Sequence, residues 1–298
     1  MRTRSSRTDH ARRVRAALRR AIDASLASVR TRCAAETTLA ARLALVEEIL
    51  TRPPSFVITT FLPRVAGGLG SLNALRLLTS GLPGAPDAME ATLRLPHNVS
   101  TEMDLALWQV ACAIRGAGAD ARFVSAEART LAAECLARGL PDGVQGPVDD
   151  FLELYGMRGV AEIDLGRVRW HDDPTPIMQV LQSYLRIDDS EQAPERRFAT
   201  GAVAAEAALA RLADAAGRTR GGWLKRPLIR WLGRRVRALA GLRESPKFYV
   251  IRLFGMVRAA LLASGRELSD RGVLDRADDI FYLDLPELTA FGSGKQRD

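Results

Sequence analysis

From Asp9 to Leu50 the chain contains neither proline nor glycine. A run of that length leaves no place for the tight turns that a set of short strands requires. It reads as one long helix or two in series, stopped by Pro53-Pro54. The rest of the chain repeats the pattern of helical stretches cut by Pro and Gly. Apolar residues make up 47% and aromatics only 6%, with Ala and Leu dominant. These two residues lose little on entering a helix, whereas β-rich domains draw on Val, Ile, Tyr and Phe. The expected fold class is mainly α, a multi-helix domain with one very small β element near the C-terminus.

Ser55 to Leu78 is apolar on several faces and interrupted by Pro63, Gly67-Gly68 and Gly70, which predicts close helix packing or a break. Gly81-Leu82-Pro83-Gly84 makes a turn. The helix starting near Ser100 is the clearest: Met103, Leu107, Val110, Ala111 and Ile114 recur at helical spacing, and Leu105, Trp108 and Cys112 form a second stripe. Ser100 or Thr101 is its expected cap. Further helices are predicted over 126–137, 148–155, 176–185, 191–216, 224–240 and 246–264. Asp279-Ile280-Phe281-Tyr282-Leu283 reads as a strand, with a helix start at Leu285-Pro286-Glu287. The best internal boundary is Gly139-Leu140-Pro141-Asp142-Gly143. It separates an N-terminal helical part, 1–145, whose first twenty residues are a basic leader, from a C-terminal part, 146–298, that carries the polar motifs. The two parts are also compatible with one continuous substrate-binding domain.

The net charge of +8 permits an anionic partner without naming one. Cys33, Cys112 and Cys135 are widely spaced in apolar helical contexts, so they are expected as reduced core residues of a cytoplasmic protein. The apolar stretch Phe248–Ala263 is broken by Arg252 and Arg258, which argues against a membrane span. No nucleophile elbow, zinc-protease helix, paired-cysteine motif or phosphate loop is present. Gly292-Ser293-Gly294-Lys295 lacks the strand and helix that a phosphate loop needs. His171 with Asp172 and Asp173 is a pattern that a metal can use but that more often forms a solvated turn, so no metal is expected.

Two constellations remain. Tyr155-Gly156-Met157-Arg158-Gly159-Val160-Ala161-Glu162-Ile163-Asp164, with Arg169, Trp170, Asp172 and Asp173, mixes acids, Arg, Gly and Trp densely. Either Glu162 and Asp164 pair with Arg158 and Arg169 to pin a loop, or these groups contact a ligand. In Leu242-Arg243-Glu244-Ser245-Pro246-Lys247, Ser245 reads as an N-cap and Pro246 as the first helical residue. Arg243 and Lys247 would then flank a helix N-terminus as an anion trap. If the helix runs on through Pro246 instead, the two cations stand at i and i+4.

Four segments, in order, resemble the rifampin phosphotransferase family within the wider phosphoenolpyruvate-synthase-like group. They are Asn98 to Trp108; Phe151 to Gly159 running on to Trp170 and Pro174; Leu242-Arg243-Glu244 with Lys247; and Arg271-Gly272 with Asp279 to Leu283. The resemblance implies the helical acceptor-binding domain of a phosphohistidine-dependent phosphotransferase. ATP and Mg would sit on an ATP-grasp domain absent from this chain, which itself would hold no cofactor and be inactive alone. The expected partners are ATP-grasp and phosphohistidine domains on other chains and a small-molecule acceptor, with no nucleic acid and no membrane. The resemblance implies Arg243 and Lys247 as the catalytic cations. It implies Tyr155, Arg158, Glu162, Asp164, Arg169 and Trp170 as substrate-site residues. Two alternatives stand beside it. One is a stand-alone helical binder of a bulky apolar ligand. The other is a basic peripheral protein using Trp223, Leu224, Trp231 and the cations between Arg220 and Arg243 on a membrane or nucleic acid.

Overall fold

The computed structural model describes residues 20–52, 59, 61–93, 98–187 and 193–292. Most of the basic leader, Pro53-Pro54, His97 and the tail from 293 lie outside them. The described chain is helical: α1 (20–35), then α2 (Leu39–Thr51), α3 (Leu62–Thr79), α4 (Ala85–Thr92), α5 (Val99–Gly116), α6 (Asp120–Ser125) and α7 (Ala128–Leu136). These are followed by α8 (Gln145–Tyr155), α9 (Thr175–Leu185), α10 (Pro194–Gly217), α11 (Gly222–Leu239), α12 (Ser245–Asp270) and α13 (Leu285–Gly292). Two 3-10 segments, Ala240–Glu244 and Ala277–Tyr282, complete it. The mainly α expectation holds.

The chain forms two compact units, one of residues 1–57, 156–172 and 247–298, the other of 58–155 and 173–246. The boundary expected at Gly139–Gly143 falls inside the second unit, because that turn merely links α7 to α8.

In the second unit α11 packs on α3 and α10, and α10 on α4. Leu75, Leu212, Ala213, Ile229 and Val236 form the buried centre. Two of the α3 glycines, Gly67 and Gly68, make the close approach that their clustering predicted, while Gly70 faces open space. A Cβ on Gly68 would stand 3.0 Å from the Ala240 nitrogen, so the two backbones meet where a side chain would hold them apart. A second layer joins α5 to α8 and α9, with α6 and α7 against α9. Gln182 donates at 2.8 Å to the carbonyls of Phe123 and Ala126, satisfying the end of α6. The first turn of α5 is capped by Asn98, whose side chain accepts from the Ser100 N–H at 3.0 Å, rather than by Ser100 or Thr101. Replacing Asn98 by Ala should lower the unfolding free energy by about 1 kcal/mol, measured by urea denaturation.

In the first unit Arg252 of α12 pairs with Asp23 of α1 at 2.7 Å, and Arg42 of α2 bonds Glu267 and Ser264 of α12. α13 packs on α2, started by a reciprocal cap in which Glu287 and Asp284 each accept the other's backbone N–H at 2.8 Å.

Two expectations are corrected. Asp279 to Leu283 is no strand, and among the described residues there is none. The Asp279 side chain accepts the Arg276 N–H at 2.8 Å and the Asp279 N–H bonds back to the Arg276 carbonyl, winding the segment into a 3-10 turn. Its Ile280 is buried and Tyr282 is exposed. An isolated five-residue strand would have had no edge to pair with. Of the cysteines only Cys135 is buried, while Cys112 is exposed; all are reduced. One apolar window within Gly222–Asp270 has the length and composition of a membrane span, and 67% of it is buried inside the protein, as in a core helix.

Candidate functional site

The polar segment after α8 is a looped excursion whose neck is closed by two backbone bonds, Trp170 N–H to the Arg158 carbonyl at 2.9 Å and His171 N–H to the Gly156 carbonyl at 3.0 Å. Where the two sides of the neck touch, a Cβ on Gly159 would lie 2.6 Å from the Val168 carbonyl oxygen, so glycine is required. The tip turns at Ala161, in the left-handed region with φ 55°, and Asp164 closes the next turn by accepting the Gly166 N–H at 2.8 Å.

One face of α12 holds this loop. Lys247, Ile251 and Arg258 recur at i, i+4 and i+11, which superposes them on a helix. Near the start of that face Lys247 Nζ sits 2.9 Å from Glu162 Oε1. Midway, Gly255 lets the Met157 thioether come so close that a Cβ would clash at 2.2 Å. Further on, Arg258 is buried: it donates to the Leu165 carbonyl at 2.6 Å and to Asp172 at 3.3 Å, and lies over the Phe281 ring at 5.0 Å. The sequence marked Arg258 only as a break in the apolar stretch and Asp172 only as one acid of the polar segment; their pairing was not expected, although the 11-residue interval places Arg258 on the same face as Lys247.

A cavity of about 610 Å³ opens beside the loop. Arg158, Glu162, Asp164, Trp170 and Lys247 all line it, joined by Gly159, Ala161 and Ile163. Glu162 is its pivot. The residue is 5% exposed, yet it receives the Arg158 guanidinium at 3.1 Å and the Lys247 ammonium at 2.9 Å. Burial pushes the Glu162 carboxyl up, but the hydrogen bonds and charges of Arg158 and Lys247 together outweigh burial and hold it below the usual carboxylate range. The Arg158 guanidinium also lies 5.9 Å from the Trp170 ring. Val160, Ile163 and Val168 are exposed, and of the three Ile163 lines the cavity. The loop-pinning reading is seen in the Arg158–Glu162 pair, which also lines the cavity; the Asp164 side chain pairs with Arg167 rather than Arg169.

The remaining candidates are elsewhere. Arg169 is fully buried, outside the cavity lining; it donates to the Asp164 carbonyl at 3.0 Å. Burial, then the neighbouring Arg258, lower its pKa against the pull of Glu162, Asp164 and Asp172. It is placed to hold the loop from inside. Tyr155 belongs to the core of the other unit, its ring 5.1 Å from Phe151. Arg243 is also in that unit, 3.5 Å from Glu244 and not in the cavity wall. Ser245 has helical dihedrals, so the chain winds straight into α12 and the expected open N-terminus with its anion trap does not form. Glu244 instead accepts the Ser100 hydroxyl at 2.8 Å, joining two of the resemblance segments. His171 bonds the Gly156 carbonyl and Asp172, and no group of potential metal ligands occurs among the described residues. On α11, Ile229 and Leu232 are buried while Trp223, Leu224 and Trp231 are exposed.

Residues 60–244 match the model of the rifampicin phosphotransferase fourth domain. The rifampicin phosphotransferase of Streptomyces sviceus is 32% identical over 66% of this chain and 23% of its own length. That of Bacillus cereus is 29% identical over 70% of this chain and 24% of its own. The prodigiosin synthesizing transferase PigC of Serratia marcescens is 26% identical over 51% of this chain and 16% of its own. The chain thus spans about a quarter or less of the length of these relatives. With its match covering more than half the sequence, the chain belongs to the rifampicin phosphotransferase family, as a phosphotransferase-type domain corresponding to the fourth domain of that enzyme.

Proposed function

We propose that the chain is the acceptor-binding domain of a kinase-type phosphotransferase, working with ATP-grasp and phosphohistidine modules that supply the phosphoryl group. The observation that carries this reading is the convergence of the Lys247 ammonium and the Arg158 guanidinium on Glu162 in the wall of the cavity. A transferring phosphoryl group is stabilised by fixed cations aimed at its oxygens rather than by covalent help from the protein. Lys247 is accessible for this role: its side chain is 57% exposed, and its carboxylate partner is shared with Arg158. Ile163 and Trp170 in the lining offer apolar surface to an acceptor, and the relatives named rifampicin phosphotransferases make rifampicin the first acceptor to try. Arg243 enters through its motif with Lys247.

The test supplies the chain with ATP and Mg, with rifampicin, and with the ATP-grasp and phosphohistidine modules of the Streptomyces sviceus relative. Phosphorylated rifampicin should form, and Lys247→Ala should cut kcat/KM about 100-fold, the size expected when one charge-stabilising donor is removed. Its melting temperature should stay close to that of the parent, because Lys247 is half exposed. Activity unchanged in Lys247→Ala would refute the site.

A further inference from the structure

Helix α11 turns Ile229, Leu232, Gly233 and Val236 inward, against α3 and α10. Its solvent side is apolar as well. Trp223, Pro227 and Trp231 run along it at i, i+4 and i+8, and Leu224 and Leu228 form the adjoining row at i+1 and i+5. Trp223 is 77% exposed and Trp231 51%, with Leu224 and Leu228 exposed beside them. A helix that is apolar on both sides is ordinarily buried on both. Here one side buries in the core and the other presents two indoles to solvent, a patch of the kind that marks a docking surface.

The charge around the patch has one sign. From 222 to 239 the helix carries Lys225, Arg226, Arg230, Arg234, Arg235 and Arg237 and no Asp or Glu. On the flank toward α10, Asp214 takes two of these cations, Arg226 at 2.8 Å and Arg230 at 3.1 Å. On the flank toward α3, Arg235 Nε donates to the Ser71 hydroxyl at 3.3 Å, and the guanidinium lies over the Trp231 ring at 5.0 Å. That indole is therefore oriented before any partner arrives. Arg234 is exposed beside it, and Arg218 and Arg220 are exposed just ahead of the helix.

We propose that α11 docks on the surface of an anionic phospholipid bilayer, with its axis parallel to the membrane. Tryptophan settles at the headgroup level, its ring against the acyl chains and its N–H toward water. Trp223 and Trp231 stand eight residues apart, about 12 Å along the axis, so the two anchors hold the helix flat. The long Lys and Arg stems reach headgroup phosphates while the apolar strip sinks between them. A protein partner suits this face less, because protein interfaces fix their register with charges of both signs. A nucleic acid suits it less too, because its phosphates seek cations at the centre of contact and here Trp and Leu hold the centre. The surface makes no use of Lys247 or Glu162 and goes beyond the phosphoryl-transfer reading, which calls for no membrane.

The experiment is co-sedimentation of the full chain with phosphatidylcholine vesicles containing about 30 mol% phosphatidylserine, and with pure phosphatidylcholine vesicles, in about 0.1 M salt. The anionic vesicles should bind the chain about tenfold more tightly or better. The net charge of +8 alone would draw the chain to anionic lipid, so loss of the indoles is the decisive change. Trp223→Ser combined with Trp231→Ser should weaken binding to the anionic vesicles about tenfold, while the circular dichroism spectrum and melting temperature hold. If the double variant unfolds, Trp223→Ser alone, at the more exposed position, decides by weakening binding about threefold. Leu136→Ser, at an exposed apolar position of α7, should leave binding unchanged. Absence of binding to the anionic vesicles overturns the proposal, as does equal binding to the neutral ones. So does undiminished affinity in the Trp variants, or a loss in Leu136→Ser. Tighter binding to duplex DNA than to the vesicles would assign the face to nucleic acid instead. Release from the vesicles on adding the ATP-grasp and phosphohistidine modules would assign it to those modules and overturn the proposal equally. Lys247→Ala should bind the vesicles as the parent does, so failure of the phosphoryl-transfer reading and failure of the membrane surface are separately visible.

Discussion

Replacing Glu162 by Ala should destabilise the protein by about 3 kcal/mol and release the loop that forms the cavity. Removing one partner of a buried ion pair costs roughly 3–5 kcal/mol, because the remaining charge is left buried without compensation. The lower end applies here: Arg158 keeps partial shielding, but Lys247, half exposed, returns to water. Glu162→Gln preserves the volume and one acceptor, so about 1–2 kcal/mol is expected, a charge-assisted hydrogen bond exchanged for neutral ones. The pair of variants also carries a pH signature. The native carboxyl of Glu162 titrates below its ordinary value, so the folded state binds its proton less readily than the unfolded chain does. Its contribution is complete above the unfolded glutamate value of about 4.3 and disappears as the pH falls through the lowered native value. The stability gap between the parent and Glu162→Gln should therefore be constant at neutral pH and close only in acid. Guanidinium unfolding between neutral pH and pH 3 measures it. A gap that stayed constant into acid would mean that the carboxylate of Glu162 does not hold the two cations.

Gly265→Ala should be as damaging, by about 3 kcal/mol, although alanine is the better helix former. Position 265 lies inside α12, where helix propensity alone favours Ala by roughly 1 kcal/mol. Against this, a Cβ there would sit 2.2 Å from the Ala277 carbonyl oxygen and 3.0 Å from its carbon. Both are backbone atoms at the start of the 3-10 turn that carries Ile280 and Phe281, so they cannot swing aside as a flexible side chain would. The upper end of the overpacking penalty, roughly 3 kcal/mol, is the expected net result. Displacing the turn would also move Phe281 from beneath Arg258, which anchors the loop through Leu165 and Asp172. Gly70→Ala, inside α3, supplies the opposite sign. Nothing lies within 4 Å of its added Cβ, so the substitution should stabilise by about 1 kcal/mol. Thermal unfolding of the two variants should move the midpoint in opposite directions. A Gly265→Ala protein as stable as the parent would show that the helix and the turn are not in this close contact.

The distinction between these two glycines marks where local information ends. The sequence by itself determined the helical character of the chain and most helix positions. Periodic apolar stripes and Pro or Gly punctuation act over a few residues, so α5, α9 and α10 are legible within a few positions, and α11 almost to its ends. It also marked the segment from Gly156 to Trp170 as unusual, because a dense mixture of Arg, acids, Gly and Trp has no use in an ordinary helix. Tertiary structure decided the rest. The residues from Asp279 to Leu283 have the composition of a strand, but a strand requires a neighbour to take its backbone hydrogen bonds. Asp279, bonding back to Arg276, wound them into a turn instead. Ser245 has the chemistry of a cap, yet the chain arrives at it already helical. Which of the basic and acidic residues meet was likewise a non-local outcome. Arg158, Glu162 and Trp170 come together with Lys247 because a glycine at 255 admits Met157 and a buried Arg258 takes the loop's carbonyl and carboxylate. Those contacts join positions some ninety residues apart in the chain, beyond the reach of any local sequence pattern.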